Sequence, residues 1–186
     1  IDQNECLKRQ QEIMMMLEEL AWRVEQYQPG TPGEWHDGDE FTDITAEGIT
    51  MTFRIISVAQ NTCQVGPKPS NSWPHPVAID NTLTGHVTIP SKAQGFDVIT
   101  IGEDAFNGCD ITSVDIPTSV TKIDADAFSY CRKLEKADIP NTVTAIGAYA
   151  FDHCAFTSVV IPSSVRAMGE YYNRNPFTGC PNIQSI

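Results

Sequence analysis

The chain has 186 residues, which is enough for one compact domain whose core needs no disulfide framework. Its 24 Asp and Glu residues outnumber 12 Lys and Arg residues, and the formal net charge of -12 repels phosphate backbones and anionic lipid surfaces. We therefore expect no nucleic-acid partner, and because no run approaches the roughly 18 apolar residues of a membrane helix, we expect no insertion into a membrane.

Residues 3–27 are predicted to form a helix that ends at Pro29-Gly30. Apolar side chains recur there at intervals of four and three residues, which places them on one helical face: Ile13, Leu17, Leu20, Val24 and Tyr27. Two interpretations stay open. The helix either packs on the rest of the chain as a cap or forms a coiled-coil spacer that leads to a membrane anchor.

Residues 29–47 are predicted to be a loop rich in Pro, Gly and acidic residues, and its acidic cluster lacks the ligand spacing of a calcium loop. The following segment, 49–65, is predicted to contain a strand in a hairpin with residues 63–65, because its apolar residues alternate: Ile49, Met51, Phe53 and Ile55. The proline-rich segment 66–76 is predicted to be a loop, in which Trp73 is either an exposed contact or a lid.

Two short motifs recur in step through the rest of the chain. Ile-Pro is spaced by 27, 23 and 22 residues, at Ile89-Pro90, Ile116-Pro117, Ile139-Pro140 and Ile161-Pro162. Phe-x-x-Cys accompanies it at Phe106 and Cys109, Phe128 and Cys131, Phe151 and Cys154, and Phe177 and Cys180. A unit of this length cannot bury its own apolar face, so the units are predicted to stack on one another.

Within one unit, 111–133, the pattern predicts a short strand that ends at Pro117, a second extended piece, and a short helical turn at Ala127-Phe128. The apolar residues of the two extended pieces are predicted to face the core: Ile111, Val114, Ile116, Val120 and Ile123.

The recurring positions resemble the BspA-like class of leucine-rich repeat, whose units follow roughly L-x-x-V-x-I-P-x-x-V-x-x-I-G-x-x-A-F-x-x-C. The resemblance covers Thr84 to Ile186. It implies a right-handed solenoid found largely on bacterial surface and secreted proteins, often associated with adhesion to host proteins or other cells, and without catalytic activity.

The predicted fold class is therefore α+β. It consists of a right-handed leucine-rich-repeat solenoid of about four coils with short strands and short helical turns, preceded by an N-terminal helix and a strand-pair cap. The predicted domains are an N-terminal helix with an acidic, Pro- and Gly-containing loop at 1–47, a β cap with a proline-rich loop at 48–83, and the solenoid at 84–186.

The four repeat cysteines are predicted to form a ladder with a rise of about 4.8 Å, so they cannot converge on one metal ion and are expected to be buried free thiols. A bridge between Cys6 and Cys63 stays open as an alternative. His153 is expected to face away from Cys154, and the other histidines show no matched serine or carboxylate: His36, His75 and His86. We therefore expect no catalytic residue, no metal and no cofactor.

A binding surface is predicted on the outward positions of the first strand in successive coils, where equivalent residues form rows. These positions are His86 and Thr88, Ser113 and Asp115, Lys136 and Asp138, and Ser158 and Val160. An insertion in the last coil adds Tyr171, Tyr172 and Arg174, which are residue types enriched at binding hot spots. The other interpretation of this insertion, and the one that residues of a surface turn favour by default, is an ordinary surface loop.

The sequence thus predicts a bacterial binding protein that is secreted or displayed on the cell surface and takes a protein or glycan ligand. Its anchor, lipid or otherwise, is expected in a removed N-terminal segment. The alternative is a structural spacer or a homotypic assembly module, with weak association through the C-terminal coil.

Overall fold

The computed structural model describes Met14 and residues 35–70, 74–169 and 174–182. The chain divides into two compact units, Ile1–Trp35 and His36–Ile186. Met14 is helical, and the other residues of the predicted helix at 3–27 lie outside the described part of the chain, as does Trp73. The second unit contains every strand of the described residues.

A three-stranded antiparallel cap opens the second unit, formed by β1 (Glu40–Ile44), β2 (Thr50–Ser57) and β3 (Thr62–Val65). The predicted hairpin within 49–65 is confirmed by the pairing of β2 with β3. The loop prediction for 29–47 is wrong where β1 lies. Phe41 is the single buried residue of β1 and stacks on Phe53 at 5.5 Å between ring centroids. One buried residue gives no alternation of apolar and polar positions, so the sequence pattern does not predict this strand.

The remaining strands build four coils. These strands are β4 (Gly85–Thr88), β5 (Lys92–Ala93), β6 (Phe96–Ile101), β7 (Ile111–Asp115), β8 (Lys122–Ile123), β9 (Lys136–Asp138), β10 (Ala145–Ile146) and β11 (Ala167–Met168). The first coil contains β4 to β6, the second β7 and β8, the third β9 and β10, and the fourth β11. One parallel sheet has the order β4-β7-β9. The other continues the cap in the order β1-β2-β3-β6-β8-β10-β11, with β5 antiparallel on β6.

The Ile-Pro motif marks a turn between the two strands of a coil. Proline withholds a backbone donor and ends the first strand, and its carbonyl then accepts the N–H of the valine three residues later. This N···O distance is 3.0 Å in three successive coils, for Val120 and Pro117, Val143 and Pro140, and Val165 and Pro162. The repeated turn keeps the coils in register.

The phenylalanines of the second motif form one continuous stack in the core. Their ring centroids are 4.9, 5.1 and 5.3 Å apart and their planes differ by no more than 2°. The stack runs in the order Phe106, Phe128, Phe151 and Phe177, all buried. Each contact contributes about 0.5–1.5 kcal/mol beyond the burial of the rings, so the stack ties each coil to the next.

The cysteines of the same motif act as hydrogen-bond donors between coils. Three of the four thiols donate to the carbonyl of the motif phenylalanine in the preceding coil, at 2.9, 3.2 and 3.2 Å for Cys131 to Phe106, Cys154 to Phe128 and Cys180 to Phe151. Burial raises the pKa of the Cys109 thiol to about 12 and also raises the pKa of Cys131 and Cys154, which keeps these thiols protonated.

The predicted ladder of buried free thiols is confirmed. Cys63 is also a buried free thiol, whereas Cys6 lies outside the described residues.

The predicted α+β class with short helical turns is wrong. Apart from Met14, none of the described residues is helical, and the fold is a β-solenoid of about four coils. Left-handed residues flank the motif phenylalanines and interrupt any helix there. Their φ angles are 57° at Asp104, 54° at Asp126 and 56° at Tyr149 before the ring, and 58° at Tyr130 and 54° at His153 after it.

Candidate functional site

The outward side of β4, β7 and β9, here called the strand face, brings together six of the predicted site residues. Parallel pairing aligns them in two rows. One row is His86, Ser113 and Lys136, and the other is Thr88, Asp115 and Asp138. Because the backbone pairing fixes the rows, their side chains form an ordered polar surface.

His86 lies at the centre of a hydrogen-bonded network on this surface. Its Nδ1 is 2.9 Å from the Ser113 hydroxyl, and its Nε2 is 3.4 Å from Oδ2 of Asp115 and 3.3 Å from the Thr88 hydroxyl. The interpretation that His86 has no matched serine or carboxylate is therefore wrong, since both partners come from the next coil. About half of each of the His86 and Asp115 side chains is exposed, so the network stands in water rather than in an enclosed pocket.

The two aspartates of the strand face are neighbours across β7 and β9. Lys136 Nζ lies 2.8 Å from Oδ2 of Asp138. The hydrogen bond to Asp138 and its charge, and then the charge of Asp115, raise the pKa of Lys136. Both carboxylates thus have a basic group beside them, Lys136 for Asp138 and His86 for Asp115.

Glu47, in the loop between β1 and β2, belongs to the strand face as well. Hydrogen bonds from Thr88 and Thr45 lower the pKa of its carboxyl group, and the nearby His86 lowers it further. No pattern in the sequence predicts this contribution, because Glu47 lies outside the repeat and its position next to β4 depends on how the cap packs.

A depression of about 340 Å³ adjoins β9, the last strand of the strand face. Its lining includes Lys136, Asp138, Ser158 and Val160, four of the predicted site residues. Val160 is 82% exposed and adds a single apolar side chain to a polar surface.

The insertion in the last coil contributes one described site residue. Tyr171 and Tyr172 lie outside the described residues, and Arg174 lies with its guanidinium carbon 5.2 Å from the ring centroid of Tyr149. Arg174 lines a separate concavity of about 400 Å³, here called the trough, which extends over β8, β10 and the turns that follow them. The trough and the depression at Val160 share no lining residue.

Side chains of the kinds that bind metal ions are dispersed over the described ranges. No three His, Cys, Asp or Glu residues there lie close enough together to hold an ion. Within the same ranges, no helix has both the length and the apolar composition to cross a membrane.

Comparison with known proteins identifies the repeat. The sequence profile of the BspA type leucine rich repeat region matches residues 83–186 in six copies. No curated protein matches the chain.

Two solved structures share the fold. A leucine rich repeat protein of T. pallidum is 21% identical with a TM-score of 0.54, and the match covers 77% of this chain and 55% of that one. A leucine-rich repeat protein of Bacteroides capillosus is 23% identical with a TM-score of 0.52, and the match covers 78% of this chain and 98% of that one. The chain therefore matches only about half the length of the T. pallidum protein.

Proposed function

Because the chain belongs to the BspA-type leucine-rich repeat family, as the profile match over residues 83–186 establishes, we propose that it is a binding protein whose strand face takes an extended segment of a protein partner. The resemblance carried by the repeat motif is thereby confirmed. The role of the strand face and the nature of its partner go beyond family membership.

The observation that carries the proposal is the alignment of unlike polar groups in register on β4, β7 and β9. Hydroxyl, imidazole, carboxylate and ammonium groups stand in two rows at the spacing of adjacent strands, about 4.8 Å, so a partner segment that lies along a row meets polar groups at a regular interval. Glu47, Asp115 and Asp138 outnumber the one permanent cation, Lys136. The surface therefore suits a segment that carries lysine or arginine.

We also propose that the protein works outside the cell or on its surface. The family implies this location, and the thiol chemistry is compatible with it. Burial keeps Cys109, Cys131 and Cys154 protonated and unreactive, so an oxidising compartment would leave the ladder intact.

The test is a binding screen of the purified chain against immobilised extracellular-matrix proteins, followed by variants of the strand face. The double variant Asp115→Asn/Asp138→Asn should weaken binding of a captured protein by roughly tenfold, because it removes two carboxylates from the contact. Asp97→Asn is the matched control, since Asp97 is partly exposed and lies on the other sheet.

Equal affinity of the double variant and the control for every captured protein would contradict the assignment of the strand face. Light scattering on the same samples separates the alternative, self-association, from capture of a foreign protein. If no protein is captured, the role of structural spacer is favoured instead.

A further inference from the structure

The trough arises from small residues in the second strands of the third and fourth coils, beside a long side chain in the second coil. In the paired strands β8, β10 and β11, Lys122 stands next to Ala145, which stands next to Ala167. Gly147 and Ala148 follow Ala145 and complete the floor. The surface is therefore low along Ala145 and Ala167 and higher at Lys122.

One wall of the trough consists of polar side chains from the first two coils. Lys122 Nζ lies 2.7 Å from Oδ1 of Asp124. Asp126 is half-buried, and burial, followed by the negative charge of Asp104, raises its pKa to about 6. Glu103 also lines this wall, and burial and the neighbouring carboxylates raise its pKa as well.

The opposite wall is formed by Tyr149 and Arg174, whose guanidinium group lies over the phenol ring. The trough thus combines planar carboxylate and guanidinium groups, an aromatic ring and an apolar floor in a volume of about 400 Å³, within the usual range of small-ligand sites.

Backbone groups of the trough are already engaged between coils. The N–H groups of Asp124, Gly147 and Gly169 donate to carbonyls of the preceding coil at 2.9, 2.8 and 3.0 Å. A peptide main chain would find none of these three donors free for strand addition, which favours recognition of a ligand by side chains and by the floor.

The charges of the trough favour a neutral ligand. Among the described residues that line it, two cations stand against three carboxylates, Asp124 is already paired with Lys122, and Arg174 is stacked on Tyr149. Carboxylates and guanidinium groups bind adjacent hydroxyl groups through paired hydrogen bonds, and methyl groups on a flat floor can cover the C–H face of a sugar ring.

From this combination we infer that the trough is a saccharide-binding site for neutral, hydroxyl-rich glycans. It is separate from the protein-binding strand face and does not depend on that assignment.

The experiment titrates the full ¹⁵N-labelled chain with maltose, lactose and N,N′-diacetylchitobiose, with trilysine as a cationic comparison. At least one disaccharide should cause saturable shifts of the Gly147 and Ala148 amide signals at concentrations up to about 10 mM, since one small site gives a millimolar Kd. Because the ligand is neutral, salt should change this affinity little.

Two variants and their controls locate the binding. Arg174→Ala should weaken saccharide binding by at least roughly tenfold through loss of one wall, while Arg166→Ala, at an exposed arginine outside the trough, should not. Ala148→Leu should block the floor, and Ala59→Leu, in an exposed turn of the cap, should not. Asp115→Asn/Asp138→Asn should leave saccharide binding unchanged, which separates this site from the strand face.

Three results would overturn the inference. They are the absence of saturable shifts with any of the three disaccharides, equal affinities of Arg174→Ala and Arg166→Ala, and stronger, salt-sensitive shifts of the same amides with trilysine. The last result would assign the trough to a basic peptide instead. Since Arg174 is exposed, loss of folding is not expected to obscure its variant.

Discussion

Asp126 combines two features that oppose folding, a left-handed backbone and a half-buried carboxyl group. Burial and then the charge of Asp104 raise its pKa to about 6. The folded state therefore binds more protons at this group than the unfolded state does between the ordinary pKa of 3.8 and about 6. Stability contributed by protonated Asp126 is present at low pH and is lost as the pH rises through this window.

Asp126→Asn should accordingly stabilise the protein at neutral pH. Asn removes the charge and is among the residues that best tolerate a left-handed backbone. We expect the free energy of unfolding to rise by about 1 kcal/mol at neutral pH, a value that already allows for solvent screening because the group is only half-buried. Near pH 4 the free energy of unfolding should change little. Urea unfolding at both pH values measures it, with Asp97→Asn as control. An equal gain at both pH values would show that the backbone, not the charge, is responsible.

At the scale of single elements, the strands of the repeat could be predicted because their signals recur. Ile-Pro and Phe-x-x-Cys each return once per coil, so aligning them also aligned the residues that stack, including those of the strand face. The rows of His86 and Asp115 followed from this alignment alone. Contacts between coils, such as His86 with Ser113, could be inferred only by comparing aligned positions rather than neighbours in sequence.

The turns after the second strand of each coil could not be predicted in the same way, because their residues adopt a backbone conformation that their residue types rarely take. Tyr130 and His153 adopt left-handed conformations that non-glycine residues rarely take. A signal did exist, since the aligned positions in the first and last coils are Gly108 and Gly179, both at a φ of 69°. Comparison of these four positions predicts a left-handed turn there rather than a helical turn.

Gly147 shows how closely the second strands approach one another. A Cβ atom at this position would lie 2.3 Å from the backbone nitrogen of Ala125 and 2.6 Å from the carbonyl carbon of Asp124. Neither atom can rotate away, because both belong to the backbone of the neighbouring coil. Any larger residue must therefore push the coils apart.

Gly147→Ala should destabilise the fold by at least about 3 kcal/mol, at the upper end of the cost of overpacking. Gly95→Ala is the comparison, since Gly95 has a φ of 87° but no atom within 4 Å of the place that an added methyl carbon would occupy. Its cost should be about 1 kcal/mol, from backbone strain alone. Denaturant unfolding gives both values, and a cost for Gly147→Ala no larger than that for Gly95→Ala would contradict the close approach of the coils.

Across the second unit, the cap and the solenoid share one continuous sheet. β3 of the cap pairs in parallel with β6 of the first coil, with Cys63 opposite Val98, and β8, β10 and β11 follow in order. Buried residues lie on both sides of this junction, including Phe53 in β2 and Val98 in β6. Because β3 pairs with β6 on both sides of a register shift after Cys63, we expect the cap and the coils to unfold together, although the sequence predicts a domain boundary between residues 83 and 84.

Phe53→Ala tests this cooperativity through native-state hydrogen exchange. Removal of the buried ring should cost about 3–5 kcal/mol. If the unit unfolds as one, the amide of Gly66 in the cap and that of Gly147 in the third coil should lose protection by the same free energy. Val143→Ala removes part of a buried side chain in the third coil and is the reciprocal variant. It should also lower the protection of both amides against exchange by the same free energy. Unchanged protection of Gly147 in Phe53→Ala would instead establish the cap and the solenoid as separate cooperative units, because a shared sheet would then transmit no stability across β3 and β6.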